Sequence, residues 1–311
     1  MTCRIVTIGD LTADFVMPVR FPIEAGQSQA VAWYAVEPGA AGNFLIAGQR
    51  LGAQMAAVGV VGGDLYGRYV LDVLRGEGIN VEGVTSTPGL ATTVVTVLFE
   101  PDTDRFSYVW HGGQGEPIPV SETAAQRIEQ ADALFMQGFT LCESSLRPLV
   151  EFAFGSGKPL WFDVGPATKD VPEADRARIR QHARALMTTE SELPLIAGGR
   201  TGEAAYDFLM DAEPQLLVIK RGADGCRVVT GDGRIDVPAL PVVARDLIGA
   251  GDCFNEAFIY GTLRGLPTSD AALLANAAGG AKIQKLGTGR SMPNRAEVDA
   301  VLKAGGRTLD F

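Results

Sequence analysis

The chain has 311 residues, 46% of them hydrophobic and 21% charged, enough apolar material for one large α/β domain or two smaller ones and too much for a disordered chain. A formal net charge of −10 argues against nucleic acid or an anionic membrane surface as the main partner, so any site for a phosphorylated ligand has to be built locally. Four scattered cysteines (Cys3, Cys142, Cys226, Cys253) and two histidines (His111, His182) suggest no disulfide framework, zinc site or Ser-His-Asp hydrolase, and no apolar run reaches the about 18 residues of a membrane span, so a cytoplasmic protein is expected.

In chain order, apolar runs at Arg4 to Ile8, Met55 to Val61, Ala133 to Gln137, Leu160 to Asp163, Ala185 to Thr188 and Leu216 to Lys220 read as short buried strands separated by helical patterns. Such alternation predicts a mostly parallel sheet covered on both faces. Two segments interrupt it, at about 12–35 and about 90–111. The second reads as a hairpin: Thr92 to Glu100, a turn at Pro101-Asp102-Thr103-Asp104, then Arg105 to His111. Strands that cannot join the parallel core are expected to form a small sheet of their own. The stretch from about Asn294 to Leu302 reads as a final helix. With no internal repeat, low-complexity tract or Pro/Ser linker, one domain spanning 1–311 with two inserted segments is expected.

Chemistry concentrates in Asp246-Leu247-Ile248-Gly249-Ala250-Gly251-Asp252-Cys253-Phe254. Glycines let backbone approach a ligand closely, and Phe254, Ala257, Phe258 and Gly261 at helical spacing predict a helix whose free N–H groups face that ligand. Phosphate suits such a place. A carboxylate there, Asp252, is repelled by phosphate unless it takes a proton from a nucleophile or a metal ion screens it, which is what a kinase requires. The bland reading of Asp252 is a helix N-cap. A Walker A loop is absent, because Gly157-Lys158 is followed by Pro159, and Gly59 to Gly63 does not match the dinucleotide fingerprint, which disfavours an NAD-dependent oxidoreductase.

Gly249-Ala250-Gly251-Asp252, with Asp246 three residues ahead, resembles the C-terminal signature of the ribokinase family, also called PfkB carbohydrate kinases. Residues 39–78 resemble its other signature, through Gly39-Ala40-Ala41-Gly42-Asn43, Arg50-Leu51-Gly52-Ala53, Val58-Gly59-Val60-Val61-Gly62-Gly63-Asp64-Leu65-Tyr66-Gly67 and Glu77-Gly78. The similarity runs from about residue 4 to about residue 302. It implies a ribokinase-like three-layer α/β/α sandwich with a mostly parallel central sheet, the small sheet serving as a lid over the sugar.

The resemblance also implies roles. Asp252 would be the general base, with Gly249, Ala250 and Gly251 as the anion hole, and Asp246 would help to hold a monovalent cation such as K⁺. Asp14, Gly39 and Asn43 would contact substrate, while Gly42 lets its helix approach closely; an exposed loop acid and a plain helix residue are the alternatives for Asp14 and Asn43. In Lys220-Arg221-Gly222-Ala223-Asp224-Gly225, the positions Lys220, Gly222 and Gly225 would lie along ATP, or the stretch is an ordinary hairpin turn. Asn276 and Gly287 fall where the family holds adenine, or mark close helix packing. Glu192, in Thr189-Glu190-Ser191-Glu192, would organise Mg²⁺ through water, with Thr189 replacing the family's Asn.

Three further departures bear on substrate. Ala40 stands where ribokinases proper carry Lys, Phe139 where they place an acidic sugar contact, and Glu256 where Gly is usual; Glu256 could contact nucleotide, partner with a basic residue or face solvent. Ribose is thereby disfavoured. The leading expectation is an ATP-dependent kinase acting on a hydroxyl of a small sugar or sugar acid. The alternatives are a nucleoside kinase, with Phe139, Trp33 or Trp110 stacking on the base, and a catalytically quiet sugar- or nucleotide-binding homologue. Apolar lid strands, from Val94 to Phe99 and at Tyr108 and Trp110, are expected to pair two copies into a homodimer.

Overall fold

The computed structural model describes residues 3–112, 115–212, 214 and 216–311. The strands are β1 (Arg4–Asp10), β2 (Ala13–Pro18), β3 (Ala35–Pro38), β4 (Gln54–Gly62), β5 (Asn80–Thr87), β6 (Val94–Phe99), β7 (Phe106–His111), β8 (Ala133–Gln137), β9 (Leu160–Asp163), β10 (Ala183–Thr189), β11 (Leu216–Lys220), β12 (Cys226–Thr230) and β13 (Gly233–Val237). The helices are α1 (Ala41–Leu51), α2 (Leu65–Gly76), α3 (Glu122–Gln130), α4 (Gly138–Cys142), α5 (Arg147–Gly155), α6 (Glu173–His182), α7 (Leu193–Ile196), α8 (Gly202–Met210), α9 (Ala250–Leu263), α10 (Thr268–Ile283) and α11 (Arg295–Ala304).

The strands expected from apolar runs form the uninterrupted centre of a nine-stranded sheet ordered β13-β12-β11-β10-β9-β8-β1-β4-β5. Every pairing from β11 to β5 is parallel, and β12 and β13 close the other edge as antiparallel strands. Successive side chains enter opposite cores, as a period of two requires. Ile5, Met55 and Ala57 pack with Phe44, Phe258 and Leu274 of α1, α9 and α10. Val6, Ile8 and Val58 pack with Ile128, Leu149, Ile179 and Leu209 of α3, α5, α6 and α8. Helices therefore cover both faces, giving a three-layer α/β/α architecture.

The sequence reading passed over β5, β12 and β13. β5 and β13 are the sheet's edges, where one face is wet: Glu82 on β5 and Gly233, Arg234 and Asp236 on β13 are exposed, which breaks the apolar run that marks a central parallel strand, while in β12 Arg227 interrupts the run. The final helix forms as expected and is set by a capping box between Asn294 and Glu297.

Both interrupting segments contribute to a separate four-stranded sheet, ordered β3-β2-β6-β7. The hairpin is there, with Val94 opposite His111 and Phe99 opposite Phe106. Register sets one face: Glu37, Asp14, Val95 and Trp110 form one row across the sheet, and Ala35, Val16, Val97 and Tyr108 the next. That face is anchored by Val16, Val97 and Phe99, which pack on Ile248, Trp33 and Leu286. Among the described residues no helix is long and apolar enough to cross a membrane.

Candidate active site

The site lies where the small sheet meets the carboxyl ends of the large sheet's strands and the start of α9. Gly249 caps α9 with φ of +76°, in the left-handed region, and a Cβ there would come within 2.8 Å of Met292 Cε. Backbone conformation favours glycine there, and a larger residue would also have to displace the Met292 methyl. The helix begins at Ala250, so Asp252 falls inside its first turn and no side chain caps it, which removes the N-cap reading. Its first-turn N–H groups have no intrahelical acceptor and carry the positive end of the helix dipole.

Asp252 is held from two sides. Asn43 Nδ2 donates to Oδ2 and Gln137 Nε2 donates to Oδ1, each at 2.9 Å. Asn43 is oriented in turn by the Gly289 N–H, which donates to its Oδ1 at 2.7 Å. Burial pushes the Asp252 carboxyl up to about 7, against the pull of the Asn43 donor, with Asp163 raising it further and Lys220 lowering it. A carboxylate with that affinity for protons is matched to general-base work near neutrality.

Asp14 on β2 is the second buried acid. Burial raises it to about 7, the Thr12 hydroxyl donates to it at 3.1 Å, and the charge of Asp252 raises it further. Gly39 is required beside it, because a Cβ there would lie 1.8 Å from Asp14 Oδ1. Ala40, next in line, takes φ of +42° as the N-cap of α1, a conformation costly for any residue with a Cβ. Gly42 allows contact with Pro38, whose Cβ would stand 2.5 Å from an added one. Asp14, Gly39, Asn43 and Asp252 are thus gathered at one place. Tyr108, 42% exposed, and Trp110 lie on the face of the small sheet that carries Asp14, so the inner face of β7 is turned to the same acids.

Lys220, at the end of β11, donates through Nζ to Asp163 Oδ1 at 2.6 Å and to Asn255 Oδ1 at 3.2 Å. The same Nζ would lie 3.6 Å from a Cβ on Gly251, so this ammonium stands beside the glycine loop. Gly222 and Gly225, both at positive φ, shape the turn into β12, with the Arg221 N–H on the Gly225 carbonyl at 2.8 Å. The stretch is therefore an antiparallel hairpin turn whose first residue reaches the site. Glu192 takes the Thr189 N–H on Oε2 at 3.0 Å, and its own N–H donates to Thr189 Oγ1 at 3.2 Å, so Thr189 orders the turn that carries the carboxylate. Among the described residues no three His, Cys, Asp or Glu side chains cluster as a metal cage.

Asn276 and Gly287 occupy different surroundings. Asn276 Nδ2 donates to the Val237 and Pro238 carbonyls at 3.0 and 3.2 Å, fastening α10 to the end of β13. The Gly287 N–H donates to Asp246 Oδ2 at 2.7 Å, and the Ile248 N–H donates to Asp246 Oδ1 at 2.9 Å. Phe139 is 46% exposed at the start of α4, two residues beyond Gln137. Glu256 meets none of its expected surroundings: it is fully buried, neither carboxylate oxygen has a hydrogen-bond partner, and burial raises its pKa well above the ordinary value. It lies against Gly48, where an added Cβ would come within 2.7 Å of Glu256 Oε1, and it does not face solvent.

Four residues of this neighbourhood were missed from the sequence: Gln137, Asp163, Asn255 and Lys282. Gln137 and Asp163 carried a usable signal, each being the polar last residue of an apolar strand, the end at which parallel sheets bind ligands. Lys282 carried another, as the only charge in the second half of an otherwise small and apolar helix.

Comparison with known proteins covers almost the whole chain. The family described as pfkB family carbohydrate kinase matches residues 3–295. A 2-dehydro-3-deoxygluconokinase of Thermoproteus tenax is 32% identical over 276 residues, covering 86% of this chain and 85% of that protein. A ribokinase of Bacillus subtilis (strain 168) is 29% identical over 304 residues, covering 96% and 99%. The structure of Arabidopsis thaliana ribokinase complexed with ribose and ATP superposes with a TM-score of 0.80 at 21% identity, over 97% of this chain and 99% of that one.

Proposed function

Because this chain belongs to the pfkB family of carbohydrate kinases, we propose that it transfers the γ-phosphoryl group of ATP to a hydroxyl of a small sugar or sugar acid. Asp252 takes the proton of the attacking hydroxyl as that oxygen bonds to the γ-phosphorus and the bond to the bridging oxygen of ADP breaks. Backbone N–H groups of Gly249, Ala250 and Gly251 receive the charge that builds on the transferred group, in the field of the α9 N-terminus. Lys220, Gly222 and Gly225 flank the nucleotide phosphates, with Asn276 and Gly287 bracing the elements on the adenine side. Asp14, Gly39 and Asn43 orient the acceptor, and Phe139 borders it. Glu192, a carboxylate on an ordered turn, fits a Mg²⁺ ion held mainly by phosphates and water, which would offset phosphate charge.

One observation carries the reading: the Asp252 carboxylate, poised near neutrality and fixed by two side-chain amides, lies in the helix turn that follows the glycine loop. The relative's name makes 2-dehydro-3-deoxygluconate the first acceptor to try. ADP release with Mg²⁺ and ATP, over sugars, sugar acids and nucleosides, tests the reading. With the acceptor so found, Asp252→Asn should lower kcat by about 10² to 10⁴ while ATP still binds. Near-normal turnover in that variant would remove the mechanism.

A nucleoside acceptor is the second reading. Trp110, 66% exposed, shares a row of the small sheet with Asp14, and Phe139 is exposed beside Gln137; aromatic faces so placed suit a base. Preference for inosine or adenosine over every sugar in the same panel would select it. ATP binding with no ADP formed on any acceptor would instead indicate a quiet binding homologue.

The small sheet is read as a lid inserted in one catalytic unit, closing over the acceptor to exclude water. Its outer strand β7 leaves an unpaired edge with Phe106, Val109 and Trp110 exposed, which suits a homodimer through the lids. Cys3, Cys142, Cys226 and Cys253 are all free, in keeping with a cytoplasmic setting.

A further inference from the structure

The cation expected at Asp246 has a competitor inside the protein. Lys282, on the last turn of α10, is 0% exposed, and its Nζ lies 3.9 Å from Asp246 Oδ2 while donating to the Lys285 carbonyl at 3.2 Å. Its Cε would stand 3.5 Å from a Cβ on Gly249, so the ammonium lies directly behind the glycine loop. Asp246 is 2% exposed, and both its oxygens already accept backbone N–H groups, from Ile248 and Gly287. The loop is tied to the same helix end, since the Arg245 and Asp246 N–H groups both donate to the Ile283 carbonyl, at 2.7 and 3.2 Å. Lys285 is turned away and paired with Glu297 at 2.9 Å. A carboxylate, a main-chain carbonyl and one unit of positive charge, closed off from water, are what a bound monovalent cation would otherwise assemble here. K⁺ does not fit beside Lys282, because a second positive charge would meet the ammonium in a pocket without water to screen it.

We propose that Lys282 is a built-in substitute for the monovalent cation: its ammonium holds the Asp246 loop in the shape that presents the Gly249–Gly251 N–H groups to the transferred phosphoryl group. Lys282 touches no reacting atom and is a positioning residue. The consequence for catalysis rests on the phosphoryl-transfer reading above. The consequence for the protein alone, a loop that takes no K⁺, does not.

The test compares wild type and Lys282→Ala, each with K⁺, with NH₄⁺ and with tetramethylammonium at constant ionic strength, by thermal melting and by ADP release. Wild type should melt at the same temperature in all three salts and turn over at rates within about twofold. Lys282→Ala should lose about tenfold or more in kcat in tetramethylammonium and recover much of it in K⁺ or NH₄⁺, with KM for the acceptor little changed. Its melting temperature should rise in K⁺ as a ligand bound to the folded state requires. Wild-type turnover or melting that depends strongly on K⁺ overturns the proposal. So does a folded Lys282→Ala protein that ignores every cation, since a purely structural lysine would not be rescued. Should Lys282→Ala not fold, the wild-type salt comparison and the Lys282→Ser variant, which also leaves room for a cation, decide in the same way. If no acceptor is ever turned over, the melting arm still answers for the loop, and failure of the kinase reading is seen separately.

Discussion

The glycine loop and the small sheet face each other across the site, and they are built on opposite plans. Around the loop each functional side chain is fixed by more than one partner: Asp246 by two backbone N–H groups, Asp252 by Asn43 and Gln137, and Asn43 in turn by Gly289. The backbone of the small sheet is fixed by its ladders, but the side chains of its outer strand are not; Phe106, Val109 and Trp110 are 50%, 60% and 66% exposed. Rigid donors aimed at a developing charge need no rearrangement at the moment of reaction. A surface that is completed only when ligand or partner arrives can differ between relatives without disturbing that machinery. On the proposed function, the contrast gives chemistry to the loop and selection to the sheet.

Loosening the loop side should have the largest effect. Asn43→Ala removes the donor that holds Asp252 down against burial, and it strands the Gly289 N–H. A general base works only when ionised, so in the wild type kcat/KM should rise with pH and level off above the Asp252 value of about 7. A hydrogen bond to a charged group is worth about 1.5–3 kcal/mol, so in Asn43→Ala the rising limb should move up by about one unit or more. The plateau should fall by about 10- to 100-fold. A pH–rate profile of both proteins measures it. A limb that does not move would mean that Asn43 only shapes the pocket and that the loop is less tightly coupled than its contacts indicate.

The same contrast governs what could be read from sequence. The glycine loop was legible because its demands are local: positive φ at Gly249, close approach, a helix start and an acid fit within seven residues. The central strands were legible because both faces are buried, leaving Ile5, Met55 and Leu217 in unbroken apolar runs. Gln137, Asp163 and Lys282 left only one mark, each being the polar exception in an apolar element, because their importance comes from partners far away in the chain, such as Asp252 for Gln137 and Asp246 for Lys282. Glu256 was left open among three surroundings because nothing in its neighbours' identities announces that α9 is buried all round. The small sheet's existence showed in its hairpin, but β2 and β3 are separated by a segment without strands, and only their register puts Asp14 in a row with Trp110.

One residue on the loop side breaks its rule, and correcting it should have the next effect. Glu256 lies on α9 just beyond Asp252, fully buried with no partner for either oxygen. Burial raises its folded pKa well above the ordinary 4.5, so the folded protein keeps the proton that the unfolded chain releases. Its contribution to stability is therefore greatest below pH 4.5 and is lost as pH rises toward the folded pKa. Glu256→Met, similar in length and next to Met55, removes the unsatisfied oxygens. It should stabilise the protein by roughly 1–3 kcal/mol near neutral pH, with a smaller gain at pH 5. Thermal melting at the two pH values checks it. A variant less stable at both would mean that the acid has a partner that forms only on binding.

The smallest effect on chemistry should come from the sheet's outer strand. Val109 faces away from the acids, since Tyr108 beside it in the strand points toward them, and β7 is the edge of its sheet. Val109→Lys adds the kind of charge that blunts edge pairing. If two copies join through this edge, light scattering at micromolar concentration should give a dimer for the wild type and a monomer for the variant. Turnover at saturating acceptor should stay within about threefold, because no donor around Asp252 is touched, while KM rises as the small sheet loses its support. A large fall in kcat with KM unchanged would overturn the division between the two regions, because the small sheet would then be contributing to the chemical step itself. A monomeric wild type would leave that division standing and remove the dimer, making the exposed β7 aromatics a surface for acceptor alone.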